Sequence, residues 1–237
     1  MENKKEVAIA LGYTALMAIG MYVAYHVFGY KYEDKGIVNV LIYFEMIMSI
    51  YALTIYLKKY RGSSFKKIEI FPIFIIYSVL IILNTVLFIF HKAYLAYGDT
   101  LVTMFITTIL IGFSEELIYR GIVLSGLLKN HSKIKAIVYS AILFSLLHAV
   151  NIFAAFPLSS VAFQMVNTFI HGVVAAYFAI KLKNIGPLIV YHCLWDLMML
   201  SPVFVAKNVY IVLPVLIFEF VIFIAILWKF GIQKKIA

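Results

Sequence analysis

Eight apolar runs, most near the 20 residues that a helix needs to cross about 30 Å of hydrocarbon, follow one another along this chain with only short connections between them. In lipid every backbone N–H and C=O must be satisfied by the protein itself, and a continuous apolar run does so as a helix. The sequence therefore predicts an all-α polytopic membrane bundle of about eight transmembrane helices, over residues 7–28, 38–57, 70–90, 101–128, 134–150, 160–181, 187–200 and 209–230. Turn chemistry marks the breaks: a charged stretch at 31–36, Arg61-Gly62-Ser63-Ser64, Gly98-Asp99 before the fourth helix, Gly186-Pro187 opening the seventh, and Pro202 after it. With 65% of 237 residues hydrophobic, no stretch remains for a soluble domain. Residues 1–237 read as a single integral membrane domain: scaffold helices in 1–100, a core in 101–200 with nearly all the polar groups, and a final helix with a basic tail in 201–237.

The formal charge of +9 does not point to nucleic acid, because the 20 basic residues, Arg120 inside a helix excepted, cluster in the short connections and form no aromatic-interleaved patch. It points to orientation. One set of alternate connections holds Lys4, Lys5, Lys58, Lys59, Arg61, Lys66, Lys67, Lys129, Lys133, Lys135, Lys181, Lys183, Lys229, Lys234 and Lys235, fifteen in all; the other holds only Lys31, Lys35, Lys92 and Lys207. Basic connections stay on the cytoplasmic side, so this split predicts a multi-pass protein of the cell membrane with both termini cytoplasmic. Lys4 and Lys5 precede an apolar stretch of about 22 residues, too long for a signal-peptide core, and the first helix is expected to be retained.

Against that apolar background three patterns stand out: Glu115-Glu116-x-x-x-Arg120, Phe144-x-x-x-His148 and His192-x-x-x-Asp196. A charged side chain at mid-bilayer costs about 2.5 to 3.5 kcal/mol on insertion scales, so groups kept there are functional suspects. Their depths agree. Glu115 lies 14 residues before Lys129, His148 lies 13 after Lys135, Asp196 lies 13 after Lys183, and His192 lies 9 after Lys183. At about 1.5 Å of rise per residue, three helices bring Glu115, His148 and Asp196 to one level roughly 20 Å from the basic belt, with His192 one turn nearer the cytosol. Residues four apart share a helix face, so His192 and Asp196 point together and Glu116 pairs with Arg120, which leaves Glu115 to face the imidazoles.

Such a set supplies what amide hydrolysis needs, an activated water and a place for the tetrahedral oxyanion. Residues 101–200 are thus the expected catalytic core, with Glu115 and His148 activating water, His192 and Asp196 orienting the water or the carbonyl, and Glu116 with Arg120 as a supporting ion pair. The same groups also suit a divalent metal such as zinc, held by Glu115, His148 and His192, because imidazoles and carboxylates form catalytic ligand sets with an open position. Both chemistries stay open on sequence. The H-E-x-x-H and G-x-S-x-G patterns are absent, Tyr97-Gly98-Asp99 matches an intramembrane aspartyl motif only superficially, and the one cysteine, Cys193, permits neither a disulfide nor a thiolate cage. Elsewhere, Phe144 reads as packing that also shapes a substrate groove, His171 (four after Asn167) as an interhelical histidine with a further ligand or a substrate contact as the alternative, and Gly172 as a point of close helix approach. Glu45, Glu219 and His26 read as groups that pair inside the bundle or lie near its ends.

At these residues the chain resembles the CPBP family of intramembrane metalloproteases, which groups CAAX prenyl endopeptidases of the Ras-converting type with Abi-type bacteriocin-processing and self-immunity proteins. The family patterns E-E-x-x-x-R, F-x-x-x-H and H-x-x-x-N or D match in order at Glu115, Glu116 and Arg120, at Phe144 and His148, and at His192 and Asp196, over about residues 101–200. The resemblance implies an all-helical bundle whose active site opens within the membrane toward the cytosol, with the first glutamate and the motif histidine activating water and the last motif forming the oxyanion site. Aspartate at 196 departs from the asparagine of the eukaryotic prenyl endopeptidases. An ionised aspartate repels an oxyanion, which favours a histidine-orienting or metal-binding role there.

The reading is therefore an intramembrane endopeptidase acting on a membrane-associated peptide or protein, prenylated or a bacteriocin or signal-peptide precursor, with membrane lipid as its surroundings. The alternative is a non-catalytic bacteriocin immunity or scaffold protein of the same fold. A transporter would show inverted repeats and broken helices, and the sequence displays neither.

Overall fold

The apolar runs become helices close to where their length and flanking signals place them. In the computed structural model, which describes residues 4–201 and 209–236, α1 spans Lys4–His26, α2 Val38–Lys59, α3 Pro72–Phe90, α4 Leu101–Glu116, α5 Lys133–Leu147, α6 Leu158–Leu182, α7 Gly186–Met199 and α8 Val209–Ile236. Proline in the first turn opens α3 and α7, where its missing N–H costs nothing. Among the described residues the one β contact is an isolated bridge between Phe65 and Asn184. Pro202 and Lys207, read above as a helix stop and a minority lysine, lie outside the described residues.

Seven of these helices, counted with the 3₁₀ turns and the π-helical stretch that continue them, are long and apolar enough to cross a membrane among the described residues. The chain is a multi-pass integral membrane protein. The eighth helix, α7, has 14 residues and so reaches only about 21 Å. It lies at the heart of the bundle, packed along α4 on one side and against α3 on the other. Helix α4 is in turn held between α7 and α2, α5 runs along α6, and α8 flanks α6 and α3. The outward faces are apolar, as at Ile75, Val79, Ile82 and Val86 of α3, all half or more exposed, which suits lipid and not water.

Two glycines set the closest approaches. A Cβ on Gly112 of α4 would lie 2.6 Å from Cys193 Sγ and 2.9 Å from the Cys193 backbone nitrogen on α7, so these helices touch backbone to backbone. Gly172 of α6 does the same against Ala141 of α5, where a Cβ would come within 3.0 Å of the Ala141 Cα.

The regular helix expected over 101–128 is not what forms. After Glu116 the coil widens into a π-helical stretch, Leu117–Leu124, every residue of which is buried, before one α turn at Ser125–Leu127. Widening disturbs the i to i−4 ladder, and serine hydroxyls meet the affected carbonyls. Ser140 donates to Tyr119 O (2.8 Å), Ser125 to Arg120 O (3.3 Å), and Ser63 and Ser64 to Gly121 O (3.4 and 3.3 Å). The helix expected over 134–150 also changes character: at His148 it tightens into a 3₁₀ turn, His148–Ala154, closed by Ala155 in the left-handed region at φ 58°.

Candidate active site

The backbone contact between α4 and α7 at Gly112 carries the last turn of α4 past the middle of α7, and four ionisable side chains meet there. His192 sits between two adjacent glutamates. Its Nδ1–H donates to Glu116 Oε1 (2.9 Å), while its Nε2 lies 3.6 Å from Glu115 Oε2 and 3.5 Å from Asp196 Oδ2. Successive residues on a helix diverge by about 100°, so Glu115 and Glu116 reach opposite edges of one imidazole. Glu115 Oε2 is buried and makes no hydrogen bond.

Glu116 is the more committed carboxylate. Besides His192 it faces Arg120, whose Nη1 is 2.9 Å from the same Oε1, with both side chains about 1% exposed. The guanidinium carbon also lies 4.3 Å from the centroid of the Phe144 ring, and Nη1 makes no hydrogen bond, so the contact with Glu116 is an ion pair and not an aligned hydrogen bond. Phe144 also packs edge-on against Tyr119, His148 and His192, at centroid separations of 5.2, 5.2 and 6.0 Å. The phenylalanine read as packing is the common wall for Arg120 and two motif histidines. His148, at the α to 3₁₀ junction, turns Nδ1 to the Phe144 carbonyl at 3.2 Å, which leaves Nε2 for the interior.

A cavity of about 890 Å³ opens above this cluster. Glu115, His148, His192 and Asp196 all line it, whereas Glu116 and Arg120 do not. The remaining wall is mainly apolar, with Met17, Met21, Met104 and Met199 among its residues, and Glu45 of α2 adds a buried carboxylate. Ser114 donates to Glu45 Oε2 (3.5 Å) and lies 2.6 Å from the Tyr13 hydroxyl. The upper wall is tied together by a polar chain in which Asn151 donates to Gln164 (2.8 Å) and Gln164 to the Tyr32 hydroxyl (3.1 Å).

His171 and Glu219, read above as interhelical groups, form a second cluster. His171 Nδ1 donates to Glu219 Oε1 (2.8 Å), and the Tyr77 hydroxyl donates to the same oxygen. His171 packs 5.9 Å from the His192 ring, so it borders the site from α6.

The donor set brought within reach of a single ion is not the expected Glu115, His148 and His192. Among the described residues it is Glu116, His171 and His192, one donor atom from each lying within 4.8 Å of the others. This group has the chemistry to hold a metal ion. Its surroundings oppose one. Arg120 already neutralises Glu116, and a second cation near it is repelled by about 4 kcal/mol per unit of charge at 4 Å for an effective dielectric near 20.

Helical spacing thus anticipated the Glu116–Arg120 pair and the common face of His192 and Asp196. It did not reveal that His192 bonds Glu116 or that Glu45 lines the cavity, whereas His171, weighed from the sequence as a further ligand or substrate contact, does border the site. The one available signal for His171 and Glu45 was a polar residue isolated in an apolar helix.

A family model described as type II CAAX prenyl endopeptidase Rce1-like matches residues 97–198, which contain every motif residue above. No curated protein and no solved structure matches the chain.

Proposed function

From residues 97–198 this chain belongs to the CAAX prenyl endopeptidase (CPBP) family, and on that basis we propose that it is an intramembrane peptidase in which Glu115 activates water. The observation that carries the reading is the contrast between two neighbours: Glu116 lies off the cavity and its Oε1 is held by His192 and Arg120, whereas Glu115 lines the cavity with a buried oxygen that has no hydrogen bond. Such an oxygen is placed to accept a proton from a water in the cavity.

In this mechanism Glu115 takes a proton from water as the water oxygen attacks the scissile carbonyl carbon. His148, which lines the same cavity, fixes the water. The carbonyl π electrons move onto oxygen, and the resulting oxyanion accepts a hydrogen bond from His192 Nε2–H, the ring acting as an imidazolium between the carboxylates of Glu116 and Asp196 with its orientation set by the Nδ1–H bond to Glu116. Collapse of the tetrahedral species breaks the C–N bond, and Glu115 returns its proton to the leaving amine. Asp196, with its carboxylate 3.5 Å from Nε2, acts on the imidazole and not on the oxyanion, which accommodates aspartate where the eukaryotic enzymes of the family have asparagine.

Where a metal is bound, Glu116, His171 and His192 would hold it, and it would polarise the carbonyl as a Lewis acid. The guanidinium of Arg120 favours the metal-free course. The test is cleavage of apolar model peptides by purified protein in detergent, with and without chelator, beside Glu115→Gln. Cleavage that resists chelator and disappears in the variant supports this mechanism; cleavage retained by Glu115→Gln rejects it.

A further inference from the structure

Charge distinguishes the two faces of this bundle, and the cavity treats them differently. Its outer wall includes the exposed residues Glu33, Asp34 and Lys35 from the connection between α1 and α2, and Ala96 from the turn before α4. These belong to the lysine-poor set of connections.

The opposite, lysine-rich face is closed beneath the cluster. The π-helical stretch Leu117–Leu124 is buried throughout and stands between Glu116 and that surface. The connection between α2 and α3 is laid across it: Ser63 and Ser64 bond the Gly121 carbonyl, the Ile185 N–H donates to Ser64 O (2.9 Å), and the Lys66 N–H donates to Lys183 O (3.1 Å). Opening a path there would break these hydrogen bonds, whereas on the other face exposed residues already line the cavity beside the Tyr32 N–H to Ala154 O bond (2.8 Å).

We propose that the polypeptide cut at Glu115 enters through the lysine-poor face, which the charge asymmetry makes the extracytoplasmic one, and that the segment seated in the cavity is apolar. This deepens the peptidase reading of the same site and rests on it. It reverses the cytosolic opening that the family resemblance implied. The cavity wall sets the chemistry: thioether side chains at Met17, Met21, Met104 and Met199 adapt to varied apolar groups, which suits a peptide chosen by hydrophobicity more than by one side chain. A substrate of this class is a translocated or externally supplied peptide, and not a prenylated tail presented from the cytosol.

The test reads access separately from catalysis. In a Cys193→Ala background, single cysteines are introduced as Ala96→Cys at the mouth, Met104→Cys in the cavity and Lys66→Cys on the lysine-rich face, and intact cells are treated with a membrane-impermeant maleimide. The Ala96 and Met104 variants should be labelled and the Lys66 variant only after permeabilisation, and an added apolar peptide should slow labelling at 104. Thr107→Cys, also on the cavity wall, serves where the Met104 variant folds poorly. Cavity labelling only from the Lys66 side, labelling of neither cavity position from outside, or protection of the Ala96 variant in intact cells overturns the proposal. Adding Glu115→Gln should leave labelling unchanged. Correct labelling without any Glu115-dependent cleavage would therefore strike the peptidase reading alone.

Discussion

Glu115 and Glu116 are chain neighbours, both buried, in different surroundings. Glu115 belongs to the cavity half of the bundle, with Met104, Thr107, His148 and Asp196 around the same opening. Glu116 belongs to the sealed half, where it is held by Arg120 and His192 and followed by eight buried π-helical residues. The lesson is that a membrane helix can send one acidic pair to two surroundings within about 100° of turn: the carboxylate off the cavity is fixed by its cation and bonds the histidine, and the carboxylate on the cavity is the one proposed to act on water.

If this division is correct, substitutions at the two halves should separate activity from stability. The largest effect on turnover is expected for Glu115→Gln, a fall of about 10²- to 10⁴-fold in peptide cleavage, the usual contribution of a general base, with thermal unfolding in detergent unchanged. Arg120→Met should do the converse, costing about 3 to 5 kcal/mol by leaving Glu116 buried and unpaired. Adding Glu116→Gln to Arg120→Met should restore part of that stability, and failure to restore any would mean that the two residues do not act as a pair.

The helix contact that aligns the halves can be loosened on its own. Gly112→Val should destabilise the bundle by about 1 to 3 kcal/mol through overpacking against Cys193, and it should also lower cleavage, because the same displacement moves Glu115 away from His192. A smaller effect is expected at the margin: Tyr77→Phe removes one donor to Glu219, costs about 1 kcal/mol, and leaves cleavage unaltered. Chelator should have no effect on turnover. A chelator-sensitive enzyme restored by zinc would show that Glu116, His171 and His192 hold an ion despite Arg120, and the division between the glutamates would have to be redrawn.

The helices were legible because lipid enforces a simple rule: long apolar runs must satisfy their own backbone. Val38, Leu101 and Val209 mark helix starts both in the sequence pattern and in the structure. The Glu116–Arg120 pair was legible for the same local reason, since i and i+4 share a face. The π-helical stretch was not legible, because it depends on serines 63, 64 and 140, which come from other elements to satisfy its carbonyls. The composition of the cluster was legible only in part: a histidine such as His171, from α6, borders the site through packing that no local period records.

By itself, then, the sequence determined a membrane-spanning helical bundle, the sequence distance of its acids and imidazoles from the basic connections, and the uneven placement of lysines among those connections. Hydrophobic length, helical rise and lysine placement are one-dimensional quantities, and they survive without coordinates. The tertiary structure alone decided which glutamate is sealed and which lines the cavity, which atoms of His192 face each of them, and on which face that cavity opens. Those depend on rotation and close approach between helices, and at Gly112 the missing Cβ lets α4 and α7 come near enough for a single imidazole to bridge them.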